Sequence, residues 1–361
     1  MIAVALIAFA NGQNDVSKGI ATLVGSGVTD HRRAILWGSL WTGLGALAGA
    51  VVAGAMITTF GKGLLAADST PTFATALAVL FGAAAWVLVA TRTGLPVSTT
   101  HAIVGALTGV ALVAFGTGGI QWPLLARKIA LPLLLTPLVA LVATAIVLRV
   151  TRRLGNTADC ACIAAPTALL LPRADGVARI ALGAPRLIVA TEAACAAQPV
   201  AARLTMDRLH WMTSGATSFA RGLNDAPKIV ALILAGALLT GNGIAAPVWF
   251  AVVTVGMVAG SLYGGRRVMH VLAERVTRMD HREGFSANLV TATLVGLGAW
   301  QGLPLSTTHV STGAIIGAGT ARSGAIDWRT VRGLVMAWVV TLPAAALLAV
   351  CAYCALRMAG L

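Results

Sequence analysis

Charge is what this sequence has least of. Only 11% of its 361 residues are Asp, Glu, Lys or Arg, against roughly 25% in soluble domains, which excludes an ordinary water-soluble globule. Acid is scarcer than base, with 12 Asp and Glu set against 26 Lys and Arg. The excess of base does not indicate nucleic acid, because it lies between apolar runs: Arg32-Arg33, Arg127-Lys128, Arg149 with Arg152-Arg153, Arg266-Arg267, and Arg322 with Arg329 and Arg332. Lys and Arg gather in the cytoplasmic loops of membrane proteins, so these segments are expected inside the cell and no nucleic-acid partner is expected. Cysteine is sparse too, at five. Cys160-x-Cys162 with the distant Cys195 lacks a clear fourth ligand, so structural thiols are the better reading and neither metal nor cofactor is expected. Cys351 and Cys354 fall in an apolar run, where free cysteine behaves as a small hydrophobe. No cleavable leader precedes the first polar motif. Residues 1–10 are too few to cross a bilayer, so residue 1 is expected to lie within the first helix.

What is abundant is apolar surface: 58% of residues are hydrophobic and the mean hydropathy is +0.86. Apolar runs lie near 34–57, 72–91, 101–118, 129–148, 229–240, 248–265, 286–300, 310–320 and 333–356. A helix needs roughly 20 residues to cross the hydrocarbon. The pattern predicts an all-α polytopic membrane protein with about ten membrane segments, within a range of about 8–12. The shorter runs are expected to be broken or re-entrant half-helices.

The polar residues within these runs are written twice. Gly-Leu-Pro-Val-Ser-Thr-Thr-His at 94–101 returns as Gly-Leu-Pro-Leu-Ser-Thr-Thr-His at 302–309, and Asn14-Asp15 returns as Asn224-Asp225. Trp122 with Pro137 is matched by Trp328 with Pro343. The chain is therefore expected to be one unit used twice, with a first membrane repeat at 1–148 and a second at 212–361. Between them, 149–211 carries eight Arg and four prolines and reads as a cytoplasmic connector with some local structure. Equivalent loops carry opposite charge bias. Arg32-Arg33 has no charged counterpart at 240–248, while 59–71, with Lys62 and Asp68, faces five Arg at 266–288. This asymmetry predicts inverted repeats, although 119–128 and 321–332 are both basic and fit it less well. Paired polar breaks at matching positions of two halves mark the binding site of a transporter.

In each octapeptide, glycine and proline interrupt a helical pattern and serine follows as a candidate N-cap. Ser98, Thr99 and Thr100, with Ser306, Thr307 and Thr308, would then sit at helix N-termini, whose free N–H groups and dipole favour an anion. His101 and His309 follow, with orienting a hydroxyl, relaying a proton and packing all open. Gly105-x-x-x-Gly109 and Gly313-x-x-x-Gly317 are spaced for close helix packing. The other motif is Asn-Asp-x-x-Lys, at Asn14-Asp15-x-x-Lys18 and Asn224-Asp225-x-x-Lys228, and it is expected to begin otherwise apolar helices. Ionisable groups in a membrane are functional candidates that need a partner, and a lysine three residues on shares the helix face of its aspartate. A purely structural ion pair is the competing reading.

Gly-x-Asn-Asp in each half, followed some 80 residues later by Pro-x-Ser-Thr-Thr-His, resembles the inorganic phosphate transporter (PiT) family over both repeats. The resemblance implies a multi-pass helical carrier that moves inorganic phosphate in symport with H⁺ or Na⁺, while the high Ala, Arg and Gly content suggests a bacterial chain and hence the cytoplasmic (inner) membrane. Asn14, Asp15, Ser98, Thr99, Thr100, Asn224, Asp225, Ser306, Thr307 and Thr308 would line its site. Where the family commonly has Asn-Asp-Val-x-Asn, this chain has Lys18 and Lys228, and Gln13 and Arg221 replace the usual small residue and His. An ammonium can take the electrostatic place of Na⁺, so proton coupling is expected, with Asp15, Asp225, Lys18, Lys228, His101 and His309 as coupling or charge-compensating groups. Coupling is needed, because a dianion entering against 100 mV faces roughly 4–5 kcal/mol. A sulfate or other oxyanion carrier and a sodium-coupled phosphate symporter are the alternatives, and oligomeric state is open, a homo-oligomer included. A channel would want rings of charge or carbonyls along a pore. An intramembrane hydrolase built on Ser98 or Ser306 would have no use for a duplicated catalytic set.

Overall fold

A computed structural model describes every residue except 53, 154–158, 167, 173–177, 183, 198–199, 238–244 and 321–325. Arg322, Pro199, most of the uncharged 240–248 stretch and parts of the connector lie outside the described residues. The first half contains α1 (Ile2–Gly25), α2 (His31–Val52) and the short α3 (Gly54–Thr58), which widens into a π turn at Thr59–Gly63. It continues with α4 (Phe73–Thr93), α5 (Thr99–Phe115), α6 (Trp122–Leu125) and α7 (Leu131–Arg153), the last two joined by a π turn at Ala126–Ala130. A small unit follows: β1 (Cys160–Ala164), β2 (Ala168–Pro172), β3 (Ala178–Leu182), β4 (Arg186–Ala190), α8 (Glu192–Ala196) and β5 (Val200–Thr205). In the second half come α9 (Met206–Ala237), α10 (Ala246–Tyr263) and α11 (Arg266–His270) with a π turn at Val271–Arg275. Then follow α12 (His281–Trp300), α13 (Thr307–Gly319) and α14 (Trp328–Met358).

This is an all-α multi-pass membrane protein carrying a small β appendage. Among the described residues five helices are long and apolar enough to cross a membrane: His31–Val52, Phe73–Thr93, Trp122–Arg153, Ala246–Tyr263 and Trp328–Met358. Others are long but interrupted by polar groups, as in α1 with 24 residues, α9 with 32 and α12 with 20. α5 and α13 are shorter, at 17 and 13 residues. Local capping explains several starts. Asp280 and Glu283 form a reciprocal capping box at α12. Asp327 caps α14, and hydrogen bonds from the Thr330 hydroxyl and the Arg329 and Thr330 amides hold its carboxyl below the usual carboxylate range.

The Asn-Asp motifs differ from expectation in one respect. Asp15 and Asp225 do not begin their helices but lie in the interior of α1 and α9. Gly12 and Gly222 precede them without breaking the helix, because both serve packing rather than a turn.

Equivalent helices pack crosswise between the halves. α1 lies on α10 as α9 lies on α2, and α5 lies on α14 as α13 lies on α7. Small residues make these approaches possible. A Cβ on Gly12 would sit 2.1 Å from the Met257 carbonyl oxygen, and its counterpart on Gly222 would sit 2.2 Å from that of Thr42. The same exchange brings Gly45 to Phe219 O and Gly260 to Phe9 O, each at 2.0 Å. Gly105 and Gly109 meet Leu342 and Ala346, while Gly313 and Gly317 meet Pro137 and Leu141.

Since the obstacle is backbone on a facing helix, Gly260→Ala is expected to destabilise the protein by about 1–3 kcal/mol through overpacking. Gly333→Ala, whose Cβ meets nothing within 4 Å, is the control. Thermal melts in detergent compare them, and equal melting temperatures would count against this packing.

In the appendage β1 is the central strand of an antiparallel β4-β1-β5 sheet, and β2-β3 form a separate hairpin. Cys160 and Cys162 point inward from β1 and meet Cys195 of α8, with Ile188 and Val200 against them.

Candidate functional site

The two Ser-Thr-Thr-His segments form the tips of helical hairpins. α4 ends at Gly94, whose φ of 77° is a left-handed conformation that glycine adopts without strain, and Gly302 repeats it after α12 at 68°. Pro96 and Pro304 keep the connecting residues extended. Ser98 and Ser306 then cap α5 and α13, each hydroxyl accepting from the amide of the histidine three residues on at 3.2 Å. The tips meet at the centre of the protein. The Thr308 hydroxyl donates to Val97 O at 2.8 Å, and the Thr100 hydroxyl to Leu305 O at 3.4 Å. Two helix N-termini, one from each half, are thereby brought together.

Beside each tip sits an Asp–Lys pair. Lys18 Nζ donates to Asp15 Oδ1, to Asn14 Oδ1 at 2.9 Å and to Val97 O at 2.9 Å. Lys228 Nζ donates to Asp225 Oδ1 at 3.1 Å, to the Thr100 hydroxyl at 2.8 Å and to Leu305 O at 3.1 Å. Each ammonium occupies a cage of three oxygens: a carboxylate, an amide or hydroxyl, and a carbonyl freed by the proline-containing break. The asparagines hold the breaks in place. Asn14 donates to Thr91 Oγ1 and Leu95 O and accepts from Val97 N, and Asn224 donates to Leu305 O at 2.9 Å.

Two further residues join the halves. Asn11 Nδ2 is shared among Asp15 Oδ2 at 3.2 Å, Asp225 Oδ2 at 3.1 Å and Thr99 Oγ1 at 3.1 Å, so one amide bridges both carboxylates. Arg221 stands at the equivalent place in α9. It donates to Asn11 Oδ1 and Ser261 Oγ, both at 3.5 Å, and to the Thr42 hydroxyl. Sequence reasoning passes over Asn11 as a site residue and marks Arg221 only as a departure from the family pattern. Their equal positions in two aligned heptapeptides, 9–15 and 219–225, are the available signal. Asp15, Asp225, Lys18, Lys228 and Arg221 are all at most 3% exposed, and three cations with two carboxylates leave a formal charge of +1. Buried charge of this kind is costly unless matched. Among the described residues Thr307 Oγ1, Asn224 Oδ1 and Arg221 Nε have no hydrogen-bond partner, so the cluster has both surplus positive charge and unused polar atoms. That combination suits a monoanion rich in oxygen.

Neither imidazole ring hydrogen-bonds a cage lysine or aspartate among the described residues, although His101 lies within electrostatic reach of Lys228 and His309 within that of Lys18. His101 and His309 stack at 4.5 Å, and His309 also stacks on Trp338 at 3.8 Å. They border an otherwise apolar cavity of about 430 Å³ between α5, α7, α13 and α14. His309 Nδ1 bonds the Ser306 hydroxyl at 2.7 Å, while among the described residues no carboxylate bonds either ring. Stacking and, at His309, the bond to the hydroxyl are the contacts they make, and buried His101 Nδ1 has no hydrogen-bond partner among the described residues. On another side a cavity of about 620 Å³ is bordered by Gln13, Thr91, Arg92, Arg266 and Arg267. Thr91, on its border, accepts a hydrogen bond from Asn14 of the buried cluster at 2.9 Å.

The sequence profile of the phosphate transporter family matches residues 11–349. A Rhizobium meliloti protein, described as a "probable low-affinity inorganic phosphate transporter", is 30% identical across 98% of this chain and 94% of its own length. The chloroplastic inorganic phosphate transporter 2-1 of Arabidopsis thaliana is 29% identical across 94% of this chain and 68% of its own. A solved structure described as "The sodium-dependent phosphate transporter" superposes with a TM-score of 0.77 at 23% identity, covering 99% of this chain and 98% of that one. The two share a fold.

Proposed function

This chain belongs to the phosphate transporter family, transporters rather than enzymes, and we propose that it is a proton-coupled symporter of inorganic phosphate in the cytoplasmic (inner) membrane. The phosphate is held by the facing N-termini of α5 and α13, with Thr99 and Thr307 as hydroxyl partners, Thr100 and Thr308 joining them when they turn from Leu305 O and Val97 O, and Ser98 and Ser306 fixing the turns. Asn14 and Asn224 set the breaks, and Asn11 and Arg221 complete the site. The observation that carries the coupling is the pair of oxygen cages filled by Lys18 and Lys228. A cage of carboxylate, amide or hydroxyl and carbonyl oxygens would suit a small hard cation, and here an ammonium from the same helix already fills it. A monovalent phosphate brings the buried formal charge from +1 to zero. A divalent one leaves −1, which a proton taken up by Asp15 or Asp225 neutralises.

In this reading ten segments cross or enter the membrane: α1, α2, α4, α5, the joined α6–α7, α9, α10, α12, α13 and α14. The hairpins α4–α5 and α12–α13 reach the centre from opposite sides, as in inverted repeats. Residues 1–148 and 212–361 form the two repeats, and 149–211 is a cytoplasmic connector. The crosswise helix packing and the tip-to-tip hairpins support this arrangement.

Sodium coupling is a second reading, favoured by the fold shared with a solved transporter that is described as sodium-dependent. Labelled-phosphate uptake into proteoliposomes separates the two. An inward proton gradient without sodium is expected to drive saturable uptake, resistant to excess sulfate. A strict sodium requirement would overturn the proton assignment, and movement of sulfate instead of phosphate would overturn the substrate.

A further inference from the structure

We propose that Cys160, Cys162 and Cys195 form a three-thiolate site for one soft metal ion. Their sulfurs all lie within 4.8 Å of one another, and all three residues are buried. Sulfurs bound to one zinc at about 2.3 Å lie about 4 Å apart, so a shift of under about an ångström closes the site around such an ion. Three features of the local fold produce this convergence. Cys160 and Cys162 are two apart on β1, so the pleat turns both to the same face. Cys195 comes from the single turn α8, started by the Thr191 hydroxyl accepting from Ala194 N. Asp159 fixes the approach to that turn by accepting from Glu192 N at 2.7 Å.

The sheet's core is too thin to explain itself. Beyond the three cysteines, only Ile188 and Val200 pack there among the described residues, and small units with so little apolar burial generally need a metal or a disulfide. All three thiols are free. Arg203 pairs with Cys162 across the β1–β5 ladder and donates to Cys195 O at 3.4 Å, which places a cation where three thiolates would need one. A set of three sulfurs with a coordination position left over selects thiophilic ions such as Cu⁺ or Zn²⁺ over hard cations. Each ligating thiol gives its proton to solvent as the metal–sulfur bond forms. Because β5 runs directly into α9, an occupied site would anchor the helix that carries Arg221, Asp225 and Lys228.

The test uses the whole protein in detergent, purified with reductant, and titrates Cu⁺ against a chromophoric chelator and Zn²⁺ in parallel. One ion per chain of either metal, with three sulfur neighbours by X-ray absorption, is expected. Cys195→Ser should weaken binding at least about a hundredfold, since even changes to groups that only support a ligand cost 10–100-fold. Cys351→Ser with Cys354→Ser, exposed on α14, should not change it. Binding that survives Cys195→Ser, no stoichiometric binding of either metal, or a disulfide among the three cysteines would each overturn the assignment. If Cys195→Ser does not fold, the sulfur count in the unaltered protein and the α14 double variant still decide.

Discussion

Lys18→Asn is expected to cut proton-driven phosphate uptake by about a hundredfold, and sodium is expected to recover part of the loss. The substitution removes the ammonium from the Asp15 cage while leaving Asn14 Oδ1, Asp15 Oδ1 and Val97 O in position. Removing one partner of a buried ion pair typically costs about 3–5 kcal/mol, because the remaining charge is left without compensation. Three of those kilocalories correspond to about two powers of ten in any step that needs Asp15 ionised. Asparagine is shorter and neutral, so it leaves space and three oxygens for a sodium ion. Uptake measured in sodium and in potassium media at one fixed proton gradient checks this. An unchanged rate would show that Lys18 is dispensable to charge balance, while a loss indifferent to sodium would show that the cage does not accept a cation.

Arg221→Gln is expected to raise the KM for phosphate by about a hundredfold while changing the maximal rate far less. Arg221 supplies the one positive charge that the two aspartates do not match, and it is fully buried. Charge-assisted hydrogen bonds contribute about 1.5–3 kcal/mol each, and the long-range attraction of a buried cation adds to that. In the proposed site the arginine attracts the anion through its charge, so the loss is expected in binding, and a raised KM with a preserved rate is the signature of uniform binding. Initial rates over a wide phosphate range give both constants. A collapse of the maximal rate at unchanged KM would place Arg221 in the conformational step instead.

The site is legible where chemistry is duplicated and opaque where it is not. The recurrence of Pro-x-Ser-Thr-Thr-His exposes both hairpin tips, since proline and serine mark a helix break by local sterics and capping alone. Asp15 and Lys18, like Asp225 and Lys228, are visible as pairs because three residues along a helix is a fixed geometry. Asn11 and Arg221 escape notice as a unit because each half holds a different residue there, and their meeting depends on how α1 approaches α9 in space. The backbone oxygens of Val97 and Leu305, which complete the cages, carry no side-chain signal at all. The same limit holds for Cys195: 33 residues from Cys162, it gives no hint that an antiparallel sheet would bring it home.

The crosswise packing of the helices bears on how the molecule is made. Gly12 has its partner at Met257 and Gly105 at Leu342, each more than 200 residues further along the chain. A nascent first half therefore sits in the bilayer with its small-residue grooves facing lipid, waiting for helices that the ribosome has yet to deliver. Contacts of such long separation in sequence are slow to form. Biogenesis of this protein is then expected to end with the clasping of its two halves, and either half expressed alone should fall prey to membrane quality control.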